Sequence, residues 1–437
     1  MTYFSNQINK SIAYEKKEFR LLSIFLLLLA GVCSCSEIDE GLLSVPDEYD
    51  NPELSRVISP IEAIEIANDA YSFFVGDKVT PRSRTKHDDV HVIGNVGSRS
   101  NGGDTLAYIV NYPEDGGYSI IAASRYAADN ILAFIPDGHL ESLDDIEVPA
   151  QRMYVEMLLS KIEDEEPVTK SRANIEIRPM PEEKYVNDTI SYKYGAVSEL
   201  EWTQSGIFGA YCDNNLSGCL PLAAALVMAH FEEPKQMNIN FVNTKKTSVS
   251  KTINIDWTDI KRYKNSRSIY YYDGPSGVAM DNIGLICRQF GALAGTNYKS
   301  ESSSTSNRKA INTLMSLMPN RQIGDYLNYD KNAISNSLKG GPALIFGFEN
   351  DEKDKGHTWV VEAYTYQQIK SDYYVREYMH VYWTYVSTSY RTHESFYFNW
   401  GWGGTGNGYY SCRFEESFTP KDLVSGAYKS LKYVTIK

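Results

Sequence analysis

The chain has 437 residues, of which 43 are Lys or Arg and 56 are Asp or Glu, which gives a formal net charge of −13. Sequence-independent binding of nucleic acids needs a basic surface, so this charge argues against that class and no nucleic-acid partner is expected. Hydrophobic residues make up 42% of the chain, which is enough for large cores and excludes wholesale disorder. Six cysteines are too few for a disulfide scaffold.

The N-terminus carries the pattern of an export signal. Three basic residues precede the apolar run 21–32, which ends at Cys33-Ser34-Cys35. A basic region, an apolar run of about 7–15 residues and small residues at its exit describe a secretory signal. The pair Ser34-Cys35 also resembles a bacterial lipobox, so residues 1–35 are predicted to be a lipoprotein signal with Cys35 as the lipidated residue. The alternative is an ordinary signal peptide with two incidental thiols.

The residues after Cys35 are typical of a polar tether. The acidic stretch 36–40 resembles the export tag of some surface-displayed lipoproteins. Residues 36–55 continue as a polar, Pro-containing segment and are predicted to be a tether. We therefore expect an exported protein, held at the outer membrane or cell surface by a lipid anchor, which processing can release.

Residues 56–165 are predicted to form a first α+β module. Ser59-Pro60 precedes apolar residues with helical spacing and indicates a capped helix. The apolar runs 105–111 and 118–123 flank a Pro- and Gly-containing turn, which predicts a hairpin. A further strand is expected at 131–135 and a helix at 150–162, where apolar residues recur with helical spacing.

The composition then changes twice along the chain. Residues 166–194 are charged and contain Pro179 and Pro181, so they are predicted to be an exposed activation linker with Lys170 and Arg172 as candidate cleavage points. Residues 195–437 are rich in Tyr, Trp and Gly and are predicted to form one larger domain.

Cys219 is the first candidate for chemistry. It follows Gly218 and opens the run 220–231, which is apolar nearly all round and predicts a buried helix. The macrodipole and the free N–H groups at a helix N-terminus favour a thiolate, which is the nucleophilic form of cysteine. A packed structural cysteine is the alternative.

The larger domain offers four histidines as a base for this thiol. His230 lies eleven residues along the same helix, roughly 16 Å away at 1.5 Å per residue, and is too far. His357 follows Cys219 by 138 residues (357 − 219), within the spacing typical of papain-type enzymes, and opens an apolar strand. His380 and His393 are expected to be ordinary surface or edge residues, so His357 is the predicted base.

A third group should orient the imidazole. The Gly-rich stretch 396–410 has strand-like flanks rather than the strand-to-helix arrangement of a phosphate loop, so nucleotide binding is not expected. Within it, Asn399 and Trp400 offer an amide and an aromatic ring. Upstream, Gln204 offers an oxyanion donor beside the N–H group of Cys219.

The order of these motifs resembles a known family. Trp-x-Gln at 202–204, Gly-Cys at 218–219, Gly-His at 356–357 and Asn-Trp-Gly-Trp-Gly-Gly at 399–404 are similar to the streptopain family of papain-clan cysteine proteases. The resemblance covers about residues 56–160 and 195–437. It implies an α+β fold: a papain-like catalytic domain, whose central helix carries the cysteine and packs on an antiparallel β-sheet or barrel, preceded by an α+β inhibitory prodomain at 56–165.

The resemblance also implies roles for single residues. Cys219 would be the nucleophile, His357 the general base, Gln204 the oxyanion donor, Asn399 and Trp400 the support of the histidine, and Gly356 and Ser303 part of the substrate cleft. No cofactor is implied. The partners would be protein or peptide substrates and the chain's own prodomain, acting as an intramolecular inhibitor that covers the cleft.

Three other hypotheses carry less weight. The chain has Glu362-Ala363 where the family usually has Asp-Gly, but no catalytic group is missing, which disfavours a catalytically inactive surface-binding protein on the same fold. An acyltransferase of the transglutaminase type would have a much shorter Cys-to-His spacing. A metal site is not expected, because the cysteines lack C-x-x-C pairs and the His- and Asp-containing run 86–91 is typical of solvated charges.

Overall fold

The computed structural model describes residues 57–76, 89–94, 105–125, 127–163, 182–242, 248–299, 303–349, 356–376, 381–413 and 427–437. All of them belong to one compact unit, Ser55–Lys437. The predicted signal with Cys35, the tether 36–55 and the candidate cleavage points Lys170 and Arg172 lie outside the described residues.

The described residues contain seven α-helices. These are α1 (Pro60–Val75), α2 (Pro149–Glu163), α3 (Cys219–Phe231), α4 (Trp257–Ile260), α5 (Gly277–Leu293), α6 (Asn307–Leu317) and α7 (Lys331–Ser337). Within this part of the chain, no helix combines the length and the apolar character needed to cross a membrane.

Fifteen strands accompany them. They are β1 (Val90–Gly94), β2 (Thr105–Asn111), β3 (Tyr118–Ala122), β4 (Ile131–Ile135), β5 (Glu182–Gly195), β6 (Gln236–Val242), β7 (Ser248–Asn254), β8 (Asn297–Tyr298), β9 (Ser303–Ser304), β10 (Leu327–Asn328), β11 (Ala343–Phe348), β12 (Gly356–Arg376), β13 (Thr384–Asn399), β14 (Gly408–Ser411) and β15 (Ser430–Thr435). Eleven of them form one sheet in the order β1-β2-β3-β4-β14-β13-β12-β11-β15-β10, with β5 paired to β12.

The first module forms for the reasons visible in its sequence. Ser59 caps α1 in a capping box with Glu62, and the helix buries Ala63, Ala67 and Ala70. Strands β2 and β3 pair antiparallel across the expected turn, and β4 and α2 lie within one residue of the predicted bounds. The local predictions for this module are confirmed because its periodic apolar residues meet a core on both faces of the sheet.

One antiparallel sheet runs through the whole described unit. Strand β4 pairs with β14, placing Phe134 opposite Tyr409 and Ala133 opposite Tyr410. The mixed α+β fold class is confirmed by the seven helices and this large sheet. The boundaries at residues 165 and 195 stay predictions, since the sheet continues from the first module into the larger region.

The two faces of the central strands bury different helices. On one face, α3 packs with Leu344 and Val360 in a core that also holds α5 and α6. On the other face, Ile345 and Trp359 share a core with α2 and α7. The period-2 alternation of the strands sends neighbouring residues to opposite cores, so the cysteine helix α3 and helix α2 of the first module lie on opposite sides of the sheet.

The predicted linker differs from the structure over its second half. Residues 182–194 belong to β5, which pairs antiparallel with β12 from Ala363 to Arg376. Strands β5, β12 and β13 thus form a three-stranded arm. Many side chains of β5 are charged or exposed, so the local sequence resembles a linker, and only the pairing with β12 makes it a strand.

Candidate active site

Cys219 is the first residue of α3. The helix buries every residue from Leu220 to Ala229, which explains the apolar character all round its surface. Its N-cap, Gly218, has φ +89°, and a Cβ there would lie 3.1 Å from the Cβ of Ser303. Glycine at 218 is therefore required both by the backbone conformation and by the close approach of the β9 loop.

His357 is the second residue of β12 and reaches Cys219. The imidazole is hydrogen-bonded to the thiol of Cys219. Its Nε2 lies 3.1 Å from the main-chain carbonyl oxygen of Trp400. Since a carbonyl oxygen only accepts hydrogen bonds, Nε2 carries the proton in this contact, and Nδ1 is the nitrogen left to face the thiol. The structure brings together the two residues that the sequence selects.

The electrostatics of this pair favour charge separation. Burial works to raise the pKa of the Cys219 thiol, but the charge and hydrogen bond of His357, with the N–H groups of Thr358 and Leu220, hold that pKa below its usual value. Burial also works to lower the pKa of His357, yet the thiolate of Cys219 and the carbonyl of Trp400 raise it. The two shifts together stabilise a thiolate–imidazolium pair.

Asn399 lies close to this pair but differs from its predicted contact. Its Nδ2 donates to the carbonyl of Leu200 at 2.9 Å and to Oε1 of Glu362 at 3.1 Å, and its Oδ1 accepts from the N–H of Gly401 at 3.2 Å. Among the hydrogen bonds of the described residues, the imidazole Nε2 donates instead to the main-chain carbonyl of the next residue, Trp400.

Trp400 is fixed on several sides. Its N–H donates to Oδ1 of Asn407 at 3.0 Å, and its indole Nε1 donates to the carbonyl of Gly406 at 3.0 Å. The ring packs 4.8 Å from that of Trp359 and, from the side of the first module, 6.2 Å from that of Tyr154 on α2. The carbonyl that holds His357 is thereby part of a rigid loop.

Gln204 lies in a segment tied to the catalytic loops. Its main-chain carbonyl accepts from the N–H of Ser217 at 2.8 Å, two residues before Cys219. Thr203, its neighbour, forms a bridge with Trp402 of the Gly-rich loop. The side chain of Gln204 is half-buried. Its role as an oxyanion donor stays a prediction.

A small cavity of about 80 Å³ opens beside the thiol. Cys219, His357, Gly356 and Ser303 all line it, so the structure places the two predicted cleft residues next to the catalytic pair. The hydroxyl of Ser303 receives a hydrogen bond from Nδ2 of Asn214 at 3.2 Å, which holds the β9 loop over the helix N-terminus. The contribution of both cleft residues to substrate binding stays a prediction.

The described part of the first module does not line this cavity. Its helix α2 packs on the face of the sheet opposite α3, where the hydroxyl of Tyr154 donates to the carbonyl of Ser411 at 3.0 Å. The expectation that the module covers the cleft is therefore not met by the residues that the structure describes.

Two further expectations concern the remaining histidines and cysteines. His393 is not a surface residue: it is buried on β13, with Nδ1 2.7 Å from Oδ1 of Asp129 in the first module. His380 lies outside the described residues. Cys212, Cys287 and Cys412 are buried free thiols. In the part of the chain that is described, no group of three or more His, Cys, Asp or Glu side chains is placed to hold a metal ion.

Sequence reasoning missed two residues that shape the site. Asn407 holds the N–H of Trp400, and Glu362 holds the amide of Asn399. A weak signal existed for both, since Asn407 lies within the same Gly-rich stretch and Glu362 is an acidic residue in the apolar segment 359–364 of β12. Neither pattern alone indicates what the side chain contacts.

Residues 202–410 match the model of the Peptidase C10 family. This segment is that of a streptopain-like cysteine protease. The resemblance noted in the sequence is confirmed, and with it the papain-like character of the α+β fold. The candidate catalytic pair, Cys219 and His357, lies within the matched segment.

Among solved structures, the chain is similar to active wild-type interpain A, a cysteine protease of Prevotella intermedia. The identity is 14%, the match covers 55% of this chain and 94% of that chain, and the TM-score is 0.36. No curated protein matches the chain.

Proposed function

We propose that the chain is a cysteine endopeptidase in which Cys219 is the nucleophile and His357 the general base. The observation that carries the proposal is the hydrogen-bonded pair itself, with the pKa of the thiol held low and that of the imidazole held high. A thiolate at a helix N-terminus beside an imidazolium is the activated form that thioester chemistry needs.

The reaction proceeds in two steps. The thiolate of Cys219 attacks the carbonyl carbon of the peptide, and the negative charge that develops on the oxygen is stabilised by the N–H of Cys219 and the side chain of Gln204. The imidazolium of His357 gives its proton to the leaving amine, so the C–N bond breaks and a thioester forms. Water, deprotonated by His357, then hydrolyses the thioester and restores the thiolate.

Cleavage of an unfolded protein such as casein tests this proposal. The active form should produce internal fragments, whereas Cys219→Ala and His357→Ala should lose activity by a factor of about 1,000 or more while keeping their circular-dichroism spectra. An exopeptidase would release only terminal residues. Comparable turnover by wild type and His357→Ala would contradict the mechanism and would favour the alternative, an inactive surface-binding protein.

We also propose that the protein is made as a zymogen and that the module before β5 is its intramolecular inhibitor. The support is the extent of the contact, since β4 extends the protease sheet through β14 and α2 packs behind Trp400. Tethering keeps such a module at high effective concentration until the connection is cut. Because the described module residues do not line the cavity at Cys219 and α2 contacts Trp400, the inhibition would act on the loop that holds His357.

Lipid anchoring at Cys35 is the third part of the proposal, and it places the protein at the outer membrane or cell surface. The support is the short apolar run followed by Cys33-Ser34-Cys35. Replacing Cys35 by Ala should move the protein from the membrane fraction to the soluble fraction, while Cys33→Ala, the matched control, should stay in the membrane fraction. Incorporation of labelled palmitate by Cys35→Ala would show the assignment to be wrong.

A further inference from the structure

A buried carboxylate lies on β12 five residues after His357. Glu362 is 6% exposed, and the pairing of β12 with β13 passes over it: Val361 lies opposite Phe398, and Ala363 lies opposite the preceding residue, Tyr397. Glu362 is thus the extra residue of a β-bulge. Bulges redirect a side chain from the regular alternation of a strand and are frequent beside active sites.

The backbone around the bulge is adapted to it. Gly195, the last residue of β5, has φ +78°, and a Cβ there would lie 2.2 Å from the carbonyl oxygen of Glu362. Only glycine allows this approach. The chain then turns so that Ser198 meets the carboxylate.

Among the described residues, two donate hydrogen bonds to the carboxylate of Glu362. The N–H of Ser198 donates to Oε2 at 2.7 Å and its hydroxyl donates to Oε1 at 2.6 Å. The Nδ2 of Asn399 also donates to Oε1, at 3.1 Å. Because Oε1 accepts from Nδ2, the amide of Asn399 is held with Nδ2 inward and Oδ1 pointing the other way.

The fixed amide acts on the peptide group that holds the catalytic histidine. Oδ1 of Asn399 accepts from the N–H of Gly401 at 3.2 Å. That N–H and the carbonyl of Trp400 belong to the same peptide group, and the carbonyl accepts from Nε2 of His357 at 3.1 Å. Hydrogen bonds connected in this way polarise one another and fix the plane of the peptide.

We propose that Glu362 is a positioning residue that orients His357 through the amide of Asn399 and the peptide group between Trp400 and Gly401. The proposal rests on the proposed function, since it concerns the same catalytic pair. Glu362 itself contacts neither the thiol nor the imidazole and takes no part in bond making.

The surroundings of Glu362 support a hydrogen-bonding role rather than an ion pair. The carboxylate borders a cavity of about 380 Å³ whose other titratable side chains are Glu199, His230, Lys261 and Lys264. Lys261 is paired with Glu232 and Lys264 with Glu199, and among the described residues no cation pairs with Glu362. Tyr397 is the further titratable group close to it, on β13.

Alkylation of Cys219 by iodoacetamide in the full-length chain, followed by mass spectrometry of the Cys219 peptide, tests the proposal. Glu362→Ala should slow alkylation at about pH 6 by about 10- to 100-fold, because a displaced imidazole no longer holds the thiolate. At about pH 10 the rate should equal that of wild type, since the free thiol is then ionised. Ser198→Ala removes one hydrogen bond to Oε1. It should also slow alkylation at about pH 6, by a smaller factor than Glu362→Ala does.

Glu394→Gln is the matched control. Glu394 is also buried in this sheet and is paired with Lys331 at 2.6 Å, and its side chain does not contact the peptide group that holds His357. The variant should keep the wild-type ratio of rates at the two pH values even if it lowers the melting temperature. If the loss of any buried carboxylate disturbed the site, the ratio of alkylation rates would change in Glu394→Gln as it does in Glu362→Ala.

The outcomes separate this inference from the proposed function. Slow alkylation of wild type at about pH 6, both in the full-length chain and after the connection before β5 is cut, would show that the thiolate–imidazolium pair is absent, and the proposed function would fail. Fast wild-type alkylation with an unchanged ratio in Glu362→Ala would overturn the positioning role alone. If Glu362→Ala does not fold, Ser198→Ala tests the proposal instead. A wild-type ratio of alkylation rates at the two pH values in Ser198→Ala would then overturn the positioning role of Glu362.

Discussion

Nε2 of His357 lies 3.1 Å from the main-chain carbonyl oxygen of Trp400, which makes a backbone group the orienting partner of the proposed general base. A carbonyl oxygen cannot titrate and cannot rotate independently of its peptide group. It therefore keeps a proton on Nε2 whether the imidazole is neutral or charged. Nδ1 remains available for the thiol of Cys219, which is the arrangement that proton transfer between the two residues requires.

The first prediction concerns the pH at which Cys219 reacts. The pKa of the thiol is lowered and that of His357 is raised. The thiolate is therefore present at pH values below the ordinary pKa of a cysteine, about 8.5. Alkylation of wild type should therefore be fast at about pH 6. In His357→Ala the rate at that pH should fall by about 100-fold and recover above about pH 9. Identical pH profiles for the two proteins would contradict the ion pair.

The second prediction concerns stability. Burial raises the pKa of Glu362 from its ordinary value of 4.5 to about 7, against the opposing effect of the hydrogen bonds from Ser198 and Asn399. The folded chain then binds the proton more tightly than the unfolded chain, so stability falls as the pH rises from 4.5 through about 7 and then levels off. The loss is about 3 kcal/mol at most.

Glu362→Gln removes this titration, so its stability relative to wild type should rise over the same pH range. Thermal unfolding of both proteins at about pH 5 and pH 8 measures the difference. Glu65→Gln, a change at an exposed carboxylate on α1, is the control and should show no such trend. A constant difference between Glu362→Gln and wild type would mean that Glu362 titrates near its ordinary pKa.

The sequence predicts the catalytic pair and the helix that carries Cys219 because both depend on local patterns. An all-apolar run after Gly-Cys indicates a buried helix, and an apolar strand start with the right spacing selects His357. The contact between Trp400 and His357 could not be read in the same way, since a main-chain carbonyl leaves no trace in residue type. The motif therefore pointed to Asn399, one residue away.

Long-range partners account for the other differences. Strand β5 is polar and charged, and its structure depends on pairing with β12 nearly two hundred residues later. His393 has the local sequence of a surface residue, but Asp129 from the first module covers it. Neither relationship follows from periodicity or propensity within a short window, because each side chain is buried by a segment far away in the chain.

The third prediction concerns how the first module is held. Asp129 accepts from His393 at 2.7 Å, from the hydroxyl of Ser411 at 3.1 Å and from the N–H of Glu394 at 3.3 Å. Replacing Asp129 by Ala leaves these groups buried without that partner, at a cost of about 1–3 kcal/mol. After the connection is cut, Asp129→Ala should therefore release the module about 10-fold more readily than wild type in size-exclusion chromatography.

Asp137→Ala is the control for this experiment, since Asp137 is an exposed carboxylate of the same module. It should retain the module as wild type does. Equal retention in all three proteins would show that the apolar contacts of α2 and the β4–β14 pairing hold the module without help from Asp129.

The last prediction concerns the activating cut. Lys184 and Lys193 lie on β5, hydrogen-bonded along β12 opposite Tyr374 and Thr365, and a paired strand must open before a protease can bind it. Cleavage should therefore fall within 164–181, with Lys170 or Arg172 as the sites for a trypsin-like enzyme. β5 should remain with the protease, and activity should rise at least about 10-fold over the uncut chain.

Cys219→Ala separates self-processing from cleavage by another enzyme. Purified alone, it should stay full-length, whereas a trace of active wild type or of trypsin should trim it, and N-terminal sequencing then maps the cut. Replacing both Lys170 and Arg172 by Gln is the matched control, since it should block trypsin and leave self-processing intact. Full activity in an uncut chain, or an active form that begins within 57–163 or after Lys193, would refute the prediction, because the connection before β5 would then not be what keeps the module in place.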